Sequence, residues 1–276
     1  MRSTDAIPAA ILAGAIAVAP PPALAEEDPI HVRWSDDVPA TLVFAAGWMA
    51  LVGLESEIVG DECGWCAGPG PVDRAFRSAF LAPDPAAAAM ASDVLLYGVG
   101  AAFALSMDAL AFRKGGGGGA VFGEDLAILV EAMMLTAFVT QSVKISAHRE
   151  RPYVLYGGDH PVYGTGTDGV LSFFSLHSSF AASLAAATAT LAFLRKRKAA
   201  PWIAAAGAAL ALAIGALRIS ADKHYASDVA TGLVVGAAIG VAVPILHALP
   251  LHAKGEPGPT VAVAPGPGSL SVAGTF

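Results

Sequence analysis

Six apolar segments recur along this chain, at about 41–59, 91–112, 126–145, 176–194, 201–217 and 229–249. Each is close to the roughly 20 residues that an α-helix needs to cross a bilayer. Backbone polar groups in lipid must be satisfied within the spanning segment, so the segments are expected to form helices packed on one another. Composition agrees, since 55% of the 276 residues are hydrophobic and only 14% are charged, against about 25% charged in soluble domains. The expected fold is all-α, a membrane-embedded bundle of about six helices. Gly and Ala recur at close spacing, as in 232-GLVVGAAIG-240, which lets helix backbones approach closely. The alternative is the buried core of a soluble helical protein, because Ala-rich segments are only weakly apolar on insertion scales. The net charge of -7 gives no electrostatic reason to expect a nucleic-acid partner.

The N-terminus reads Arg2, an apolar stretch from Ala6 to Ala19, a proline break and Ala23-Leu24-Ala25 ahead of Glu26-Glu27-Asp28. That is the order of a secretory signal peptide over residues 1–25, with an uncleaved anchor as the alternative. Residues 26–89 then form an N-terminal segment with one apolar helix and a loop carrying 63-CGWC-66. In an exported loop Cys63 and Cys66 most simply form a small disulfide, and two thiols without a nearby His pair do not make a zinc site. Residues 90–249 form the main helical domain, and 250–276 is a flexible tail rich in Pro and Gly.

The basic cluster 195-RKRK-198 orients the bundle, because short basic loops stay in the cytoplasm. Arg113, Lys114 and the run 115-GGGGG-119 fall on the same side; no Gly-Lys-Ser/Thr follows the run, so it is not a phosphate-binding loop. The opposite face holds 60–90, 146–175 and 218–228. The expected location is a bacterial-type inner (cell) membrane, multi-pass, with those loops facing the periplasm or exterior. A cleaved leader conflicts with six crossings. Either the leader is retained as a further crossing, or segment 41–59, which contains Glu55 and Glu57, lies along the outer surface.

Three pieces of sequence on that outer side bring cations and imidazoles to helix ends. In 144-KISAHRERP-152, Lys144 and Arg151 flank the exit of the third segment; a lone lysine there would simply snorkel to the interface. In 172-SFFSLHSS-179, Ser175 and His177 stand at a helix N-terminus, where free N–H groups and the helix dipole favour an anion. In 218-RISADKHYASD-228, His224 and Asp228 are four residues apart and share a helical face, so the carboxylate can orient the ring; a surface ion pair would look the same. Taken together, Lys144, Arg151 and Arg218 suit one dianionic group, and two histidines supply a nucleophile and an acid for phosphoryl transfer.

The pattern Lys144-x6-Arg151-Pro152, Ser175-x-His177 and Arg218-x5-His224-x3-Asp228 resembles the three-part signature of the type 2 phosphatidic acid phosphatase superfamily, which also includes the vanadium haloperoxidases. The likeness covers about residues 90–249. It implies a phosphatase in which His224 is the nucleophile that forms a phosphohistidine, Asp228 orients it and His177 protonates the leaving group. Lys144, Arg151 and Arg218 would clamp the phosphate, with Ser175 as a further contact and Pro152 as a structural turn. No metal or other cofactor is implied, because the cations stabilise the charge. The implied substrates are lipid phosphates or pyrophosphates. The second motif departs from the family's Pro-Ser-Gly-His, with Phe174 for the proline and Leu176 for the glycine. Glycine permits conformations that leucine resists, so the shape of the phosphate cradle turns on Leu176.

The expected function is therefore an integral-membrane, metal-independent lipid phosphatase, with a vanadate-dependent haloperoxidase or a non-catalytic phospholipid-binding protein as the alternatives. Glu131, inside an apolar segment, is either functional or paired within the bundle. Ser178 and Ser179 lack the Gly-x-Ser-x-Gly setting of a hydrolase nucleophile and suit helix capping.

Overall fold

The computed structural model describes residues 30–60, 62–106, 118–157 and 166–249 and two strands at 260–266 and 269–275. The expected leader, Arg113, Lys114 and most of the glycine run lie outside the described residues. The helices are α1 (Trp34–Gly53), α2 (Glu55–Val59), α3 (Pro71–Phe80), α4 (Pro85–Ser106), α5 (Gly118–Ala147), α6 (Pro152–Leu155), α7 (Leu176–Leu194), α8 (Ala200–Ser220) and α9 (Ala226–Ala248). Prolines open α3, α4 and α6 in the first turn, where the missing N–H is no loss. The Asp84 carboxylate accepts from the Ala87 N–H at 3.0 Å and caps α4.

Among the described residues five helices, α4, α5, α7, α8 and α9, are long and apolar enough to cross a membrane. At the centre stands α7, buried along most of its length and packed on α4, α5, α8 and α9. Its Ala, Ser and Thr residues make that crowding feasible, because small side chains bring helix axes together. On α9, Gly232, Gly236 and Gly240 form a ladder at four-residue spacing against Ser175, Ser179 and Ser183 of the α7 strip. A Cβ on Gly232 would lie 2.7 Å from the Ser175 carbonyl oxygen, and the fit at the other two is tighter still. Across α7 from that ladder, the α5 hydroxyls of Thr136 and Thr140 meet Ser183 and Ser179 at 3.0 and 3.1 Å. Buried hydroxyls thus find partners in the small-residue seam.

The segment expected at 41–59 is divided at Leu54 between α1 and α2. Asp36 and Asp37 stand in the first turn of α1, and Pro39 lies inside it. It does not lie across one end of the bundle. Asp37 sits 3.6 Å from His247 near the end of α9, Phe44 meets Phe138 at mid-height, and Glu55 accepts from Gln141 at 2.7 Å near the far end of α5. Hence α1 runs alongside α5, from Asp37 beside the His247–Glu131 pair to Glu55 at Gln141. Glu131 is paired, its carboxylate 2.8 Å from His247 Nε2.

Arg195 and Arg197, which follow α7, both bond the buried Asp125 near the start of α5 at 2.8 Å. This marks one end of the bundle as the end of the basic cluster; the motif loops gather at the other. In the tail expected to be loosely ordered, Thr260–Gly266 and Ser269–Thr275 pair as an antiparallel ribbon across the Gly-Pro-Gly of 266–268.

Candidate active site

The ends of α5, α7, α8 and α9 bring all three motifs to one place. His224 lies in the α8–α9 connection and is 2% exposed. Its Nδ1 is 2.8 Å from the Ser172 carbonyl, which can only accept, so the proton is on Nδ1 and Nε2 keeps its lone pair. Arg151 Nη1 stands 3.1 Å from that Nε2. Burial, then the charges of Arg151, Lys144 and Arg218, hold the His224 pKa well below its usual value. The imidazole is therefore neutral near pH 7 and presents a nucleophilic nitrogen beside a guanidinium.

Asp228 does not hold His224 directly, since its carboxylate is 3.7 Å from Nδ1. It accepts instead from the Ser172 hydroxyl at 2.6 Å and the Tyr225 N–H at 2.9 Å, closing the first turn of α9. Because Ser172 supplies the carbonyl that orients the ring, Asp228 acts on His224 through Ser172. The other Asp228 oxygen bonds Arg149.

Arg151 is fixed on both sides. Its Nε and Nη2 bond the Asp168 carbonyl and carboxylate at 2.7 Å, and Nη1 also donates to the Lys223 carbonyl at 3.0 Å. Lys144 Nζ donates to the Leu171 carbonyl at 2.8 Å. Arg218 donates to Ser92 Oγ at 3.0 Å and lies 3.6 Å from Asp93. The Ser175 hydroxyl caps α7, accepting from the Ser178 N–H at 3.3 Å and the Ser178 hydroxyl at 3.0 Å. His177, in the first turn of α7, bonds Asp93 through Nε2 at 2.7 Å, and its ring meets Tyr97 edge-on at 5.7 Å.

Leu176 is the first residue of α7. Its φ is ordinary: among the described residues only His148, Lys196 and Asp222 are non-glycine positions with positive φ. The backbone here needs no glycine. The leucine side chain packs against the apolar cluster around Phe180 and Ile214.

Several site residues carry no motif signal. Arg149 bonds Asp73 of α3 at 2.8 Å and the Ser227 hydroxyl at 2.8 Å besides Asp228, and lies between the rings of Trp65 and Tyr225. Arg77 of α3 forks onto Asp222 at 2.6 and 2.7 Å. Asp168 and Lys223 pair at 3.9 Å beside Arg151. Partial burial alone would raise the Asp168 pKa, but Arg151, Lys144 and Lys223 together hold it at about 2. Burial, then Arg151, lowers Lys223 to about 8. Cys63 and Cys66 are joined as a disulfide with Cα atoms 5.6 Å apart, in the loop whose Gly64 N–H bonds the His148 carbonyl at 3.0 Å.

Below His177 an apolar groove of about 340 Å³ opens between α4, α5 and α7, lined by Tyr97, Leu105, Leu126, Met133, Met134 and Leu184 among others. Its walls carry no polar surface, so it suits a hydrocarbon chain.

Residues 125–249, from the first turns of α5 to the end of α9, match the model of the PAP2 superfamily. The match covers the segment that carries the three motifs, in agreement with the resemblance read from their spacings. No curated protein and no solved structure matches the chain. The match leaves out α1 to α4, and with them Asp73, Arg77, Ser92 and Asp93.

Proposed function

We propose that the protein is a membrane lipid phosphatase that works through a phosphohistidine on His224. The observation that carries this reading is the tautomer of His224, with Nδ1 tied to the Ser172 carbonyl and Nε2 turned to Arg151. In the first step Nε2 attacks phosphorus, the bond to the leaving oxygen breaks, and His177 gives that oxygen a proton. In the second step water attacks the phosphohistidine, the N–P bond breaks, and His177 takes a proton from the water. The products are an alcohol, or a phosphorylated lipid from a pyrophosphate, and inorganic phosphate.

Lys144, Arg151 and Arg218 supply the charge that stabilises the transferring phosphoryl group, so no step needs a metal ion. Asp228 positions the nucleophile through Ser172. Support for a lipid comes from the groove beneath His177, which lies on the side where the leaving group departs. The basic cluster at the far end of the bundle argues that the site faces the outside of the cell membrane.

The test is phosphate release by purified protein in detergent, from phosphatidic acid, phosphatidylglycerol phosphate and a polyprenyl pyrophosphate, with chelator present. Release from at least one is expected, falling to background in His224→Ala. Undiminished release in that variant overturns the assignment of the nucleophile, and loss of release on chelation overturns the metal-free mechanism.

A further inference from the structure

Asp93 lies in α4 at the point where the regular helix gives way, at Val94, to a π-helical turn that runs to Gly100. Such turns widen a helix locally and are frequent at functional sites. Three residues around this change of pitch contact the site: Ser92 meets Arg218 at 3.0 Å, Asp93 meets His177 at 2.7 Å, and Tyr97 packs on the His177 ring. The Asp93 side chain is 52% exposed, so its remaining lone pairs stay hydrated while one oxygen meets the imidazole. Nothing in the three motifs or in the matched segment 125–249 includes it.

We propose that Asp93 is the positioning residue for the leaving-group proton, an assignment that rests on the phosphatase reading above. Its carboxylate accepts the Nε2–H of His177 and fixes the ring plane. This leaves Nδ1 as the nitrogen that passes its proton to the leaving oxygen as the P–O bond breaks, and that regains a proton from the attacking water. Ser92 steadies Arg218 from the same helix, so α4 supplies the leaving-group half of a site whose nucleophilic half comes from the matched domain.

A leaving group that needs a proton should feel this residue, and one that does not should not. The test compares Asp93→Asn with wild type in first-turnover release from dodecyl phosphate and from 4-nitrophenyl phosphate, with inorganic phosphate as a competitor to report binding. Release from the alkyl ester should fall by about a hundredfold, the low end of what a general acid contributes. Release from the aryl ester should change by less than about threefold, phosphate inhibition should be unaltered, and Asp93→Glu should restore part of the alkyl activity. Equal losses on both esters, or unchanged release with tighter phosphate inhibition, overturn the proposal. A wild-type protein that releases neither alcohol, with His224→Ala no different, overturns the phosphatase reading itself.

Discussion

At Arg149 one side chain satisfies two buried carboxylates, Asp73 and Asp228, and stacks between two aromatic rings. Replacing it with alanine leaves both charges buried without their partner, which typically costs about 3–5 kcal/mol. Arg149→Ala should therefore lower the unfolding midpoint steeply in denaturant titrations. Arg149→Lys should recover only part of it, because lysine lacks the planar fork. Unaltered stability in Arg149→Ala would remove it as the link between α3 and α9. Arg149 stands two places before Arg151 in 144-KISAHRERP-152, and nothing local separates their roles. The distinction comes from Asp73, brought in from α3 over a separation of 76 residues. That His224, His177, Lys144, Arg151 and Arg218 gather at one end of the bundle was legible because their spacing is fixed by helix ends within one domain. Asp93 was not, since a single acidic residue at the head of an apolar run has no spacing to mark it. At Leu176 the side chain suggested a distorted cradle, but the position is the ordinary first turn of a helix.

At the scale of elements, the contact that sets the site is α7 against α9. The Gly232, Gly236 and Gly240 ladder lets the two helices approach until the Ser179 carbonyl lies where a Cβ of residue 236 would be. Neither backbone nor serine can yield there without parting the helices, and overpacking of this kind costs about 1–3 kcal/mol or more. Gly236→Val should thus destabilise the fold and also lower phosphate release, because α7 carries His177 and the α9 end carries Asp228. Measuring both on one preparation checks this, and a variant that is as stable and as active as wild type would contradict the packing account. The ladder was legible as small residues at four-residue spacing. The route of α1 was not: Glu55 and Glu57 left a surface-lying helix consistent with the sequence, and only the contacts of Asp37 with His247 of α9 and of Glu55 with Gln141 of α5 show that it runs along the bundle.

For the whole molecule, the arrangement is a helical bundle with a paired basic end at Asp125 and a chemical end at His224. Its first four helices lie outside the matched domain, yet α3 braces the site through Asp73 and Arg77, and α4 contributes Ser92, Asp93 and the wall of the groove. The N-terminal part is therefore integral to the site and not an appendage, which the domain boundaries read from hydropathy did not reveal. In the proposed mechanism all of these parts converge on one chemical event, transfer of a phosphoryl group to Nε2 of His224. That event can be observed by stopping turnover of a lipid phosphate in alkaline denaturant, where phosphohistidine survives, and mapping the added phosphoryl group by mass spectrometry. The account predicts one phosphoryl group on the peptide that contains His224, lost in Asp228→Ala as Ser172 is released; turnover with no phosphorylated residue, or with the group on another side chain, would contradict it.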